Sequence, residues 1–229
     1  MKKKHAVLLV VILLIGAAVA GMLLTGRLGG AGKPVSIDEL RNSALHGDPA
    51  AQNKLGAAYY SGSGVEKDIH EALKWFRQAS EKGFARAQYN LGIMYYQGEG
   101  VERDYREALQ WFGRAARQGL VEAQYNLGVM HADGLGTPQD KAQASIWYDR
   151  AARGGYAPAQ YNLGLLSYEG QWVPRDIVLA YAWLSLAAEQ GHAEAVKNRD
   201  FVAERMTADQ KARARKLMED LRGKKEGKG

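Results

Sequence analysis

Few residues in this chain could do chemistry, and most of those recur. Asp68, Asp104, Asp140 and Asp176 stand 36 residues apart. An acid or base in catalysis needs one special environment, so four equivalent carboxylates point instead to a repeated role at helix N-termini. The five histidines, His5, His46, His70, His131 and His192, hold unrelated places, and no two have the i, i+4 spacing of a helical metal site. No cysteine is present, which removes thiolate ligands, thiol nucleophiles and disulfides. Gly-x-Gly occurs at 62–64, 98–100 and 134–136. A phosphate loop would need Gly-Lys-Ser/Thr after it and a strand before it, and neither is there. The reading is of a non-enzyme, with no catalytic residue, no metal ligand and no cofactor.

The elements that position these residues come from self-comparison. At a shift of 36, Ala51, Ala87, Ala123 and Ala159 align, each followed by Gln and, three residues later, by Leu-Gly. Further columns are Gly62, Gly98, Gly134 and Gly170, then Trp75, Trp111, Trp147 and Trp183, then the closing Gly83, Gly119, Gly155 and Gly191. Each unit reads as two helices. In the second, Ala87, Leu91 and Met94-Tyr95 follow helical spacing, while Gly92 lacks the Cβ that would hold a neighbour away. This helix A ends at Gly98-Glu99-Gly100, and Asp104 caps helix B with Glu107 as its returning partner. Ala108, Trp111-Phe112 and Ala115 form the apolar stripe of helix B, and the four aligned tryptophans read as core.

One helix pair cannot bury both its faces, whereas stacked pairs share a core and differ only at the ends. Ser36 and Glu39 form a capping box for a short helix before the first full unit. The fifth unit has Arg199-Asp200 in place of Leu-Gly and runs straight into a second capping box, Thr207 to Gln210. The fold expected is all-α: an α/α superhelical solenoid of four full 36-residue helix-pair repeats with N- and C-terminal capping helices, preceded by one transmembrane helix.

The pattern A-x-Y-N-L-G-x-x-Y-x-x-G-x-G-V-x-x-D, then A-x-x-W-x-x-x-A-A, then G, runs from Ala87 to Gly119. It resembles the Sel-one-like repeat family, relatives of the tetratricopeptide repeats, over roughly residues 47 to 222. The resemblance implies an adaptor or scaffold of the kind found in bacterial envelope, signalling and host-interaction settings. It implies no shared enzyme activity and no shared ligand.

By analogy with tetratricopeptide repeats, helix A lines the concave surface. The residues offset from its core column make the candidate partner-binding set: Arg86, Tyr89, Tyr96 and Gln97, then Glu122, Tyr125 and Asp133, then Tyr161, Tyr168 and Glu169. A tyrosine ladder bordered by charge suits an extended peptide or a glycan. Because Tyr89, Tyr125 and Tyr161 repeat, they also read as packing between units. Specificity for an asymmetric partner belongs to columns that vary, Arg86 against Glu122 and Gln97 against Asp133 and Glu169. Trp172 breaks the repeat where other units have glycine, and it reads either as a binding anchor or as a ring folded over the last gap between repeats.

The chain has 229 residues, is 46% hydrophobic and 24% charged, and carries a formal net charge of +6, half of it in Lys2, Lys3 and Lys4. The remaining excess is weak and gathers near the C-terminus, so no nucleic-acid partner is expected. Residues 1–5 read as a cytoplasmic basic N-terminus and 6–26 as a transmembrane signal anchor, since an uncharged run of 19 residues from Ala6 spans ~28 Å as a helix. Signal-peptide cleavage after Ala18-Val19-Ala20, with secretion to the periplasm, is the alternative. Residues 27–35 read as a flexible linker, 36–222 as the solenoid and 223–229 as a basic disordered tail. The leading expectation is a single-pass inner-membrane scaffold with its repeats in the periplasm, binding a protein. A cell-wall peptidoglycan or exopolysaccharide binder is the alternative, and an envelope hydrolase is a second. The positive-inside rule predicts that a reporter fused after Gly229 works only outside the cytoplasm. Activity confined to the cytoplasm would reverse that orientation.

Overall fold

A computed structural model describes residues 36–226, with side chains through Arg222. The described residues form eleven helices: α1 (Ile37–Leu45), α2 (Pro49–Ser61), α3 (Ile69–Glu81), α4 (Ala85–Gln97), α5 (Tyr105–Arg117), α6 (Val121–Asp133), α7 (Lys141–Arg153), α8 (Ala157–Glu169), α9 (Ile177–Glu189), α10 (Ala193–Ala203) and α11 (Ala208–Glu226). Helices α2, α4, α6 and α8 are the four A helices, each packed on the B helix that follows it. The expected anchor, residues 6–26, and the segments 1–5 and 27–35 lie outside the described residues. Among the described residues no helix is long and apolar enough to cross a membrane.

Caps set the element boundaries. Ser36 and Glu39 close the expected box on α1, and Thr207 and Gln210 close the second one at α11. Asp68, Asp104, Asp140 and Asp176 each cap a B helix through a carboxylate oxygen. The returning bond expected from Glu107 does not form. The Asp104 amide already donates to the Tyr95 carbonyl at 2.9 Å, and Asp68, Asp140 and Asp176 repeat that link. One residue thus starts helix B and ties the loop to helix A.

The glycine column within the A helices holds each pair together. A Cβ placed on Gly92 would lie 2.8 Å from the Phe112 ring, and one on Gly56 or Gly128 would lie 2.8 Å from Phe76 or Tyr148. At Gly164 the obstacle is Leu184, at 2.6 Å. The residue after each tryptophan, not the tryptophan, therefore seats in its own helix A. Phe76 and Phe112 are among the largest fully buried side chains.

This placement corrects the reading of the tryptophans as uniformly core. Trp75 and Trp183 are buried, whereas Trp111 and Trp147 are only half-buried and lie under the guanidinium groups of Arg114 and Arg150 at 4.3 and 4.5 Å. The tryptophan column faces the preceding unit: Trp75 packs with Ala44 of α1, and Trp147 against the cluster containing Phe112. The outer face of the last tryptophan is closed by α11. Met218 and Leu221 of α11 join Ala182, Trp183 and Leu186 in one cluster, and Arg222 reaches both carboxylate oxygens of Glu189 at 2.6 Å.

That cover explains why α9 is apolar on every side, as a helix enclosed by neighbours must be. Ala182 is 0% exposed, while Ile146, one repeat earlier and beyond that cover, is 43% exposed. In the fifth unit Asp200 stands at the glycine position, so α10 offers no seat for a ring, and α11 lies on α9 instead. Helix α11 also continues to Glu226, into the segment expected to be disordered, because adding a residue to a formed helix is cheap compared with nucleating one.

Replacing Gly92 or Gly128 by Leu should destabilise the protein by at least about 1–3 kcal/mol, since the side chain must displace a buried ring. Gly113→Ala should do the opposite. Gly113 lies within α5 with only the Arg117 guanidinium near its Cβ position, at 3.5 Å, so the gain is the helix preference of Ala, about 0.5–1 kcal/mol. Thermal denaturation distinguishes the two outcomes.

Candidate partner-binding face

Side chains link the A helices directly along the array. Asn162 donates to the Tyr125 hydroxyl at 3.4 Å and Asn198 to the Tyr161 hydroxyl at 3.1 Å. At the start of the series Asn53 takes the tyrosine's place and accepts from Asn90 at 2.9 Å. A second seam is made by the glutamines. Gln52, Gln88, Gln124 and Gln160 each donate Nε2 to the carbonyl eight residues earlier, at 3.1–3.2 Å, satisfying an acceptor near the end of the preceding helix.

These seams redistribute the candidate residues. Tyr89 is buried against Phe112, with ring centroids 5.7 Å apart, and burial with the nearby Glu122 pushes its hydroxyl up to about 12. It is corrected from contact residue to core. Tyr125 is held between Tyr148 and Tyr156 at 5.6 and 5.2 Å, and Tyr161 lies on the His192 ring at 4.5 Å, so both serve mainly as packing. Arg86 and Glu122, expected to face a partner, pair with each other across two repeats at 3.3 Å. A surface pair of this kind contributes little, ~0–1 kcal/mol.

The last turn of the A helices differs. Tyr96 and Tyr168 are half-buried, each with one edge against an aromatic neighbour, Tyr105 at 5.2 Å and Phe201 at 5.8 Å. Gln97, Asp133 and Glu169 are the final residues of α4, α6 and α8. The Gln97 Oε1 is buried without a hydrogen-bond partner. Asp133 and Glu169 are exposed and, among the described residues, form no ion pair; partial desolvation raises both above their ordinary carboxylate values. A carboxylate at a helix C-terminus also faces the negative end of the dipole, where a cation is favoured. The nearby Arg175 lies over the Tyr168 ring at 5.5 Å.

Trp172 has φ 62, the one left-handed non-glycine among the described residues. Its counterpart Gly136 sits so close to α5 that a Cβ would be 2.3 Å from the Tyr105 carbonyl oxygen. Tryptophan cannot seat there, and its ring instead packs half-buried against the cluster of repeats three and four, with the Lys141 ammonium 5.7 Å from its centroid. Of the two readings, the ring folded over the gap is the one observed.

The Sel1 repeat model matches residues 49–84, 85–120, 121–156 and 157–192, without a break. The chain belongs to the Sel1 repeat family. Among solved structures it is similar to c5321, a protective antigen of uropathogenic Escherichia coli, at 40% identity and a TM-score of 0.72, over 75% of this chain and 37% of that one. The chain thus spans little more than a third of that relative. A Sel1 repeat protein from Oxalobacter formigenes is 34% identical with a TM-score of 0.61, over 69% of this chain and 71% of that one. The immunity protein PA5088 of Pseudomonas aeruginosa, 21% identical with a TM-score of 0.53 over 91% of this chain and 79% of its own, shares the fold. No curated protein matches the sequence.

Sel1 repeats generally mediate protein–protein interactions and are generally non-catalytic scaffolds. The matched segments open on the A helices, so the glutamine and asparagine seams belong to the repeated part. The glutamine column was visible in the sequence without a role, because its acceptor lies in a different helix. Tyr125→Phe should cost about 1–2 kcal/mol by leaving the buried Asn162 amide without this partner, whereas Tyr168→Phe should be nearly neutral. Urea titration of the two variants checks the difference.

Proposed function

We propose that this protein is a membrane-tethered scaffold of the bacterial cell envelope that holds a protein partner against the last turns of its A helices. The N-terminal apolar run supports the tether, and the bacterial relatives and the family's general role support the setting and the kind of ligand. The observation that carries the binding face is the pair Asp133 and Glu169, exposed acceptors with no ion pair among the described residues, at two adjacent helix ends and bordered by Tyr96 and Tyr168. Such a face favours a segment with basic side chains. Neighbouring helices lie ~8–10 Å apart, which three residues of extended chain span, so the fitting pattern is a Lys or Arg followed by another three positions on.

A glycan has weaker support. Stacking a sugar needs a free aromatic face, and Tyr89, Tyr125 and Tyr161 are occupied by packing.

The test is capture of partners from detergent-solubilised membranes by the full-length protein, with glycan fragments in parallel. Asp133→Asn and Glu169→Gln should each reduce protein capture about tenfold, the loss of a charge-assisted hydrogen bond of about 1.5 kcal/mol. Arg117→Ala, on helix B, should have no effect. The reverse result would move the contact to the B helices or the C-terminus.

A further inference from the structure

We infer that His192 is a pH-responsive cap, closing the C-terminal end of the solenoid while its imidazole is neutral and loosening it on protonation. The N-cap positions of α4, α6 and α8 hold Phe84, Leu120 and Tyr156, none of which makes a side-chain capping bond. At α10 the same place in the repeat holds His192, whose Nδ1 accepts from the Ala195 amide at 3.3 Å, an amide shared with the His192 carbonyl at 3.0 Å. Accepting requires a lone pair on Nδ1, so the capping tautomer carries its proton on Nε2. Protonation of Nδ1 removes the acceptor and sets a positive charge at the positive end of the helix dipole.

The surroundings set the balance. The imidazole stacks on Tyr161 of α8, centroids 4.5 Å apart and planes 22° from parallel. Glu194 of α10 favours the cation, but it is also paired with Lys197 at 3.0 Å. Glu189 at the end of α9 is held by Arg222 of α11. Burial lowers the His192 pKa below the ordinary value of about 6.5, outweighing the hydrogen bond to its own backbone and Glu194, which both favour the cation. A histidine with a depressed folded value contributes stability above its unfolded pKa, and that contribution is lost as pH falls through the folded one.

What loosens is connected to the partner-binding face. Helix α10 supplies Asn198 to the Tyr161 hydroxyl and Phe201 to the edge of Tyr168. Its Ala195 and Val202 are buried with Met206 and with Ala214 of α11. Acidification therefore weakens the support behind the last repeat of the face, whatever the partner is.

The experiment is amide exchange of the full-length protein in detergent micelles at about pH 7.5 and about pH 5, either side of the imidazole range and corrected for intrinsic exchange rates. In the wild type, protection of the first turn of α10 should fall about fivefold at the lower pH, the size of a lost N-cap. His192→Asn keeps a capping side chain that does not titrate, and its protection should hold at both values. His192→Phe copies Phe84 and should be equally unprotected at both. Unchanged wild-type protection, or the same acid-induced loss in His192→Asn, would overturn the inference.

Discussion

The structure depends on the approach of a B-helix side chain to an A-helix backbone. Gly56, Gly92, Gly128 and Gly164 let Phe76, Phe112, Tyr148 and Leu184 come within a distance that any Cβ would forbid. That contact fixes the separation and register of each pair, and the remaining contacts follow from it. Once the ring is seated, the preceding tryptophan can point only toward the neighbouring repeat. Stacking and pairing thus come from adjacent residues on one helix. Because interiors pack at crystal-like density, an error at one glycine passes to the units on both sides.

Close approach of helices brings polar backbone with it, and the repeat contains the groups that satisfy it. The glutamines cap carbonyls of the preceding helix, the aspartates join loop and helix, and the asparagines join one A helix to the next. An interior of this kind has a direct consequence for function. Residues that recur in every unit are consumed by the array, so the proposed partner-binding face draws on the positions that vary and lie at its margins. Asp133 and Glu169 meet both conditions, while Arg86 and Glu122 vary but neutralise each other.

The two ends solve one problem differently. At the N-terminal end α1 covers Trp75. At the C-terminal end an apolar α9 is enclosed by α8, α10 and α11, so the last helices are structural parts of the array. His192 sits where the regular repeats give way to that closure, and this junction joins the cap to Tyr161.

The sequence alone determined the repeat length, the helix pairs, the caps at Ser36, Thr207 and the four aspartates, and the need for glycine in the A helices. All of these rest on interactions within a few residues or on a period that repetition makes visible. Which side of each repeated aromatic faces inward was decided only by the tertiary structure. Trp111 and Phe112 are neighbours of similar type, and only the seat at Gly92 separates a fully buried ring from a half-buried one. The candidate face was half legible for the same reason. A ladder of tyrosines reads alike whether its hydroxyls meet solvent or the asparagine of the next repeat, and that partner lies 37 residues away, beyond the reach of any local rule. The fate of Trp172 and the capping bond of His192 likewise required the packed neighbours, because each depends on how closely one backbone approaches another.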